Sequence, residues 1–568
     1  MFKENKDYLQ TNLFSFENQL SKEKAEKLRK SEEYYFFKMI FSKIKEDDFA
    51  VLYSEKCSRP NAAVNQLVSA LILMNRKGWT YEELFNRIDF DLLTRSALGL
   101  FTIEEAPFCQ ATIFNFQNLL ADHYIRTGEN LLERVFDGLT EKQLKALKLK
   151  TNIQRSDSFL AASNIRNYSR LQLLIEVLIR LHRILTKKEK KKYSDKFAPY
   201  IKQSSGQYIY HLKGSDLNSE IEKIGEVYHW LYKKLEKKYS GVEIFQTFER
   251  VYTEHFTVAD KKVEVIAAEE LTSSIVQSPD DVEATYRRKR TKESRGQSIN
   301  ITETANPENP VSLLTDVSVN PNNKDDSKVL NKRLDVMKEK TPDLEELHTD
   351  GAYGSEDNDE KMEELDILHV PTGIRGREGK VEIKIEKKRK ERYNVSCPGQ
   401  KVKAKKARKK FRANFDLKKC SSCSLKEICP TIELKNSRAY YFTKADYMQK
   451  NRQQNINKIP RARRKLRPNV ESTVNEFTCK TKKGKLKVRG AFKAEIFAFT
   501  MALSINFGRI YRLILENPEE YAALLRYLLY FFVRKVKLLN SNNSGPLRWY
   551  IFQYFSKMTE YALKSACF

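Results

Sequence analysis

The chain has 568 residues and a mass of 66.5 kDa, which suits roughly two to four domains and a sizeable core. Lys+Arg 103 against Asp+Glu 75 gives a net charge of +28, and 11% aromatic residues exclude a solvated, coreless tail. So large a positive charge calls for an anionic partner: nucleic acid first, then an anionic membrane surface or a ribosome-like assembly.

The opening MFKENKDYLQ is charged from the outset, so no signal peptide is expected. The apolar run Ala494–Leu513 contains Glu495 and Arg509, and Tyr521–Val536 contains Arg526 and Arg534. Both read as buried helices rather than membrane spans. Eight cysteines in an unsecreted chain of this length do not form a disulfide framework, which implies a reducing compartment. The expectation is a cytoplasmic, nucleoid-associated protein that handles nucleic acid.

Residues 1–145 read as a helical domain for DNA binding or assembly. Tyr34, Phe37, Ile40, Phe41 and Ile44 recur at helical spacing. Ala63–Met74 is an apolar helix broken before Gly78; Thr80 caps a second helix through Ile88, and Thr112 a third. Two short helices around a glycine turn fit a helix-turn-helix or an ordinary bundle. At Leu147 the period changes to two, and the alternation through Asp157 predicts the first core strand within 146–162. Residues 163–255 return to a basic helical pattern, an insertion with an apolar ridge of Leu171, Leu174, Val177, Leu178, Leu181 and Leu185.

The core resumes over 256–375. Gln297–Thr304 and Val311–Val319 are strand-like around a turn rich in Asn and Pro. Asp325 and Asp326 then start a helix with Val329, Leu330, Leu334 and Met337 on one face. A strand ending at Asp350 turns through Gly351 and Gly354, and a last strand covers Asp366–Thr372. This order is an α/β core with a mixed sheet. Residues 376–459 form a basic insertion with cysteines; Gly376–Lys410 alone carries fifteen Lys/Arg and four Asp/Glu. Residues 460–515 supply a site helix opened by Pro468 and helices that close the core, and 516–568 a helical tail.

Three acids stand in marked surroundings. Asp157 ends the first strand's alternation, Asp350 ends another strand, and Glu471 lies in the first helical turn after Arg467 in an Arg-x-x-x-Glu arrangement. Their order, with RPNAAVNQLVSALILMNRKGWTYEEL, QRSDSF, SPDDVEATYRRK, TDGAYGS, CPGQ…CSSCSLKEIC and RPNVESTVNEF…KVRGAFKAEIFAFTMALSINFGRIYRL, resembles the DDE transposases of bacterial insertion sequences. The resemblance runs from about residue 50 to 515. It implies a ribonuclease-H-like mixed sheet flanked by helices and a metal-dependent enzyme that cleaves DNA ends and transfers strands. Its partners would be the inverted repeats and target as double-stranded DNA, bound by a homodimer.

Carboxylates suit such chemistry because two Mg²⁺ (or Mn²⁺) ions about 3.5–4 Å apart activate the attacking oxygen and stabilise the leaving one, and Mg²⁺ takes hard oxygen ligands. By the resemblance, Asp157 bridges both metals while Asp350 and Glu471 each favour one. Glu476 is the rival third acid. At 3.6 residues per turn it lies about 140° around the helix from Glu471, so both cannot face one site, and Arg467 favours Glu471. Relatives often carry Tyr two residues before that Arg and Lys seven after the Glu; here Lys465 and Thr478 stand instead.

Cys397, Cys420, Cys423 and Cys429 form C-x22-C-x2-C-x5-C, with the ligand number for a structural zinc or, equally, four free thiols. Cys57, Cys109, Cys479 and Cys567 are scattered. The basic runs around the third acid nominate Arg461, Arg463, Arg464, Arg467, Lys480 and Lys483 as DNA contacts. His348 and His369 read as packing residues. No GxxxxGK[ST] or GxGxxG occurs, against nucleotide-driven work. A nuclease of the same fold without strand transfer, or an inactive DNA-binding derivative, are the alternatives.

Overall fold

Alternation of apolar and polar residues after Lys150 builds the strand on which the rest of the fold is laid. The computed structural model describes residues 1–521 except 10–13, 57–58, 105–106, 260–261, 290, 373–380, 390–391, 409 and 482–483. The expected tail after 521, and with it Cys567, lies outside the described residues, as do Cys57 and Lys483. Strand β1 (Ile153–Ala162) pairs antiparallel with β2 (Lys292–Thr304), which pairs antiparallel with β3 (Leu314–Pro321). On its other edge β1 runs parallel to β4 (Glu346–Asp350), and β4 parallel to β5 (Leu368–Thr372). The order is therefore β3-β2-β1-β4-β5, with Thr285–Lys289 added on the first part of β2. This is a mixed α/β fold.

The first strand differs from its expected bounds. LKLK at 147–150 is not a strand: Leu147 caps a helix, Lys148 takes a left-handed φ of 51°, and the Leu149 amide donates back to the Leu144 carbonyl. The alternating leucines there close a helix end by burying Leu149. At the other end β1 continues to Ala162, so Asp157 sits mid-strand rather than last. A smaller correction concerns the helix Gln110–Thr127, whose cap is Cys109, with Thr112 three residues inside it making the reciprocal bonds.

Ten helices position the rest: α1 (Val64–Lys77), α2 (Leu131–Ala146), α3 (Arg170–Ile184), α4 (Leu217–Tyr239), α5 (Glu243–His255), α6 (Asp326–Lys340), α7 (Glu356–Glu364), α8 (Lys444–Lys458), α9 (Val470–Thr478) and α10 (Ala491–Glu516). One buried cluster joins α1, α2 and α10 to Ile299, Ile301, Leu314 and Val317 on one face of the sheet. Leu330, Leu334 and Met337 of α6 pack with Leu347 on the other. Helices α3 to α5 close a separate core of their own, with Tyr228 and Phe248 stacked at 4.6 Å. The basic run folds as a second sheet of β6 (Lys384–Arg389), β7 (Arg392–Cys397), β8 (Gln400–Ala407), β9 (Lys410–Asp416), β10 (Ile432–Leu434) and β11 (Ser437–Phe442). Its apolar face packs Val395, Phe411, Phe415 and Phe442.

Two glycines mark close approaches. Gly296 has φ 154°, and a Cβ there would run into the Ala161 carbonyl and the Ser163 amide. At Gly354, after Asp350, a Cβ would meet the Arg452 guanidinium, which crosses the turn to pair with Asp359 at 3.0 Å.

Glu303 of β2 is completely buried and ties four elements together. It accepts from Arg155 Nε of β1 at 2.7 Å, from Thr473 Oγ1 of α9 at 2.8 Å and from Arg509 Nη1 of α10 at 2.6 Å. Removing one partner of such a network leaves buried charge uncompensated. Glu303→Ala is expected to lower stability by about 3–5 kcal/mol in urea unfolding, far more than an exposed acid such as Glu141.

Glu495 of α10 gives a pH signature. Burial, reinforced by Glu133, pushes its carboxyl up to about 7, against the hydrogen bond from Asn130 Nδ2 at 2.6 Å. Between the ordinary value of 4.5 and about 7 the folded chain keeps a proton that the unfolded chain has lost. Its stability contribution is therefore present below pH 4.5 and lost as pH rises through 7. Glu495→Gln should flatten that decline by roughly 1–3 kcal/mol between pH 5 and 8, as measured by urea midpoints at each pH.

Candidate functional site

Parallel pairing of β1 and β4 brings the first two acids together. Ile153 lies beside Glu346 and Arg155 beside His348; two residues further along each strand stand Asp157 and Asp350. Asp350 is the last residue of β4, at the carboxyl end of the parallel strands, where open α/β sheets leave room for ligands. Helix α9 brings the third. Phe159, two residues after Asp157 and on the same strand face, packs on Phe477 with ring centroids 5.4 Å apart. Arg155 Nη1 holds the Leu466 carbonyl at 2.9 Å, which fixes the chain just before α9. Glu471 then emerges in the first turn, behind Pro468.

All three acids meet one guanidinium. Arg467 Nη2 donates to Asp157 Oδ2 at 2.7 Å and lies 3.9 Å from Asp350 Oδ2, while Nη1 donates to Glu471 Oε1 at 3.1 Å. The side chains are graded in exposure: Asp157 12%, Asp350 45% and Glu471 68%. Asp157 is thus the most buried of the three, and the other two reach solvent. Burial pushes the Asp157 carboxyl above its usual range, against the pull of Arg467 and the Ser158 amide, and the Asp350 and Glu471 charges push it further. Tyr353, buried in the turn after Asp350, feels the same two aspartates and reaches Asn300 Oδ1 at 3.3 Å.

Glu476 faces elsewhere, paired with Arg509 at 2.6 Å and Arg512 at 3.2 Å. His348 is bonded to Glu346 at 2.6 Å, and His369 bridges Thr349 at 2.9 Å and Asp359 at 3.1 Å, so both serve packing. Among the basic residues nominated from sequence, Arg463 pairs with the buried Glu346, and Lys480 lays its stem on the Gly78 turn. The side chains of Arg461 and Arg464 lie outside the described residues, like the whole of Lys483.

Arg155, Glu303, Thr473, Arg509 and Glu346 hold the site in place, and sequence reasoning passed over all five. The available signal was charge on strand faces that alternate into a core, as with Arg155 and Glu303, since buried charges require partners. The partners themselves are remote in sequence.

Cys397, Cys420, Cys423 and Cys429 line one cavity of about 510 Å³ beside the second sheet. Gln400 Nε2 donates to Cys420 Sγ and Thr431 Oγ1 to Cys429 Sγ, each at 3.3 Å. Cys109 and Cys479 are free and exposed. Among the described residues, no group of three or more His, Cys, Asp or Glu is arranged to hold a metal ion. No helix among them is long and apolar enough to cross a membrane.

Comparison with known proteins adds one finding. Residues 389–511 match the family model described as transposase DDE domain. The match takes in the second sheet from β7 onward, the four cysteines, Arg467 and Glu471, and leaves Asp157 and Asp350 outside it. No curated protein and no solved structure matches the chain. The match over residues 389–511 supports a DDE transposase.

Proposed function

We propose that the protein is the transposase of a bacterial insertion sequence, cutting the ends of its element and joining them to target DNA. Asp157, Asp350 and Glu471 are its catalytic acids. The observation that carries the proposal is the convergence of those acids, from two adjacent strands and a helix, on the single cation of Arg467. The strand order β3-β2-β1-β4-β5, antiparallel up to β1 and parallel beyond it, supports a ribonuclease-H-like core.

The donor set fits Mg²⁺ or Mn²⁺. Three hard oxygen ligands, the carboxylates of Asp157, Asp350 and Glu471, lie around a position that already holds the positive charge of Arg467. Ions bound there supply activation of the attacking oxygen and stabilisation of the leaving 3′ oxygen. The protein's own part is positional. Asp157 sets the depth of the site from a central strand. Asp350 is aimed by the strand end and by the turn under Arg452, and Glu471 is carried on a helix locked down by Glu303 and Arg155.

The basic residues singled out in the sequence, Arg461, Arg463, Arg464, Arg467, Lys480 and Lys483, are proposed as the contacts that track the phosphate backbone. On this proposal the enzyme acts as a homodimer on paired element ends, in the cytoplasm at the nucleoid.

The test is cleavage and joining with an element-end duplex. Asp350→Asn is expected to lower nicking by roughly a hundredfold or more, since loss of metal-dependent stabilisation is worth several kcal/mol, with end binding kept in a gel-shift assay. EDTA stops both nicking and the joining of pre-cut ends. An Asp350→Asn protein that nicks at the wild-type rate contradicts the assignment, and cleavage without joining of pre-cut ends assigns a nuclease instead.

A further inference from the structure

We infer that Arg467 is the resident counter-ion of the acid centre, a positioning residue that a divalent cation displaces in order to enter. The inference rests on the proposed function, because it takes the three acids as the cation's ligands.

Three carboxylates brought together from separate elements repel one another. Something positive has to hold them in the free protein, and one guanidinium does so, with separate amino groups on Asp157 and Glu471 and the first shared with Asp350. A single positive charge offsets one of three negative ones. A dication offsets more, so the centre favours exchange.

The seat of Arg467 is built for release. Its Nε is buried and makes no hydrogen bond, although the guanidinium has five donors to satisfy. A buried donor left unpaired costs stability. The bond to Glu471 is an i,i+4 pair whose acid is 68% exposed, and such pairs are weak. The backbone beneath it stays put: Arg155 holds the Leu466 carbonyl and Pro468 opens the helix, so only the side chain need swing. Once displaced, the planar fork remains within one side-chain length of the acids and suits the paired oxygens of a phosphate. A DNA phosphate at the site and a divalent ion among the acids then help each other to bind, because each favours the same position of Arg467.

The experiment is a Mn²⁺ titration of the full chain, with free Mn²⁺ followed by electron paramagnetic resonance, with and without a short DNA duplex. It compares wild type, Arg467→Gln, Arg467→Met, Arg467→Lys and the double variant Asp157→Asn/Asp350→Asn, with thermal unfolding run on each. Without DNA, Arg467→Gln and Arg467→Met are expected to bind Mn²⁺ more tightly by on the order of tenfold, whereas Arg467→Lys, which keeps the charge, stays near wild type. Duplex DNA tightens Mn²⁺ binding by wild type and not by Arg467→Gln. Equal or weaker Mn²⁺ binding by whichever neutral variant remains folded overturns the counter-ion role, since a merely structural arginine would let the acids splay on removal. Unfolding of both neutral variants overturns it as well, because a counter-ion built for release is not required for folding. If the double aspartate variant binds Mn²⁺ as wild type does, the acid centre itself is refuted. Loss of binding in that variant without a gain in Arg467→Gln refutes only the role of Arg467.

Discussion

The whole arrangement depends on a carboxylate that does no chemistry. Glu303 has no exposed surface, and Arg155, Arg509 and Thr473 supply its donors from three other elements. Those same donors fix where α9 and α10 sit against the sheet. Without them the helix bearing Glu471 has only Val470, Thr473 and Phe477 to bury, a narrow stripe on nine residues. Buried ion pairs add little net stability over an apolar substitute, but they are unforgiving about geometry. Here that intolerance carries one acid to within bonding reach of the cation that touches the other two.

Charge is arranged in layers around that centre. Near the sheet, acids are met by one or two basic partners each: Asp316 by Arg333 and Lys340, Glu346 by Arg463, and Glu476 by Arg509 and Arg512. The Asp316 carboxyl is held below its ordinary range, with burial opposed by Arg333 and Lys340. The surplus of lysine lies outside, above all on the second sheet, where Lys401, Lys403 and Lys405 alternate outward against Val402 and Ala404. Among the described residues the fully buried charges are mostly acidic, so the excess of positive charge lies on exposed side chains.

Much of this was legible in the sequence. Asp350 ends its strand and Glu471 opens its helix because turn glycines and Pro468 mark those boundaries locally. The helix from Asp326 and the separate core of the insertion follow from apolar spacing alone. Three things were not legible, each for a physical reason. LKLK alternates like a strand but closes a helix, since Lys148 accepts a left-handed turn that period counting does not register. The second sheet was hidden because its solvent face is lysine, which reads as a charge run although every other residue packs inward. The links from Arg155 to Glu303 to Arg509 span long separations, and pairing buried charges requires knowing which strands are neighbours. Arg467 is the instructive case: the basic run suggested a DNA contact, and the fold points the same side chain at the acids.

The most direct measurement is a crystal structure of the full chain soaked with Mn²⁺, using its anomalous scattering to locate the ion. Difference peaks among Asp157, Asp350 and Glu471, with the Arg467 guanidinium swung away from Asp157, are what the account predicts. Peaks only at other sites, with Arg467 still on Asp157 and Glu471 at saturating Mn²⁺, would contradict it.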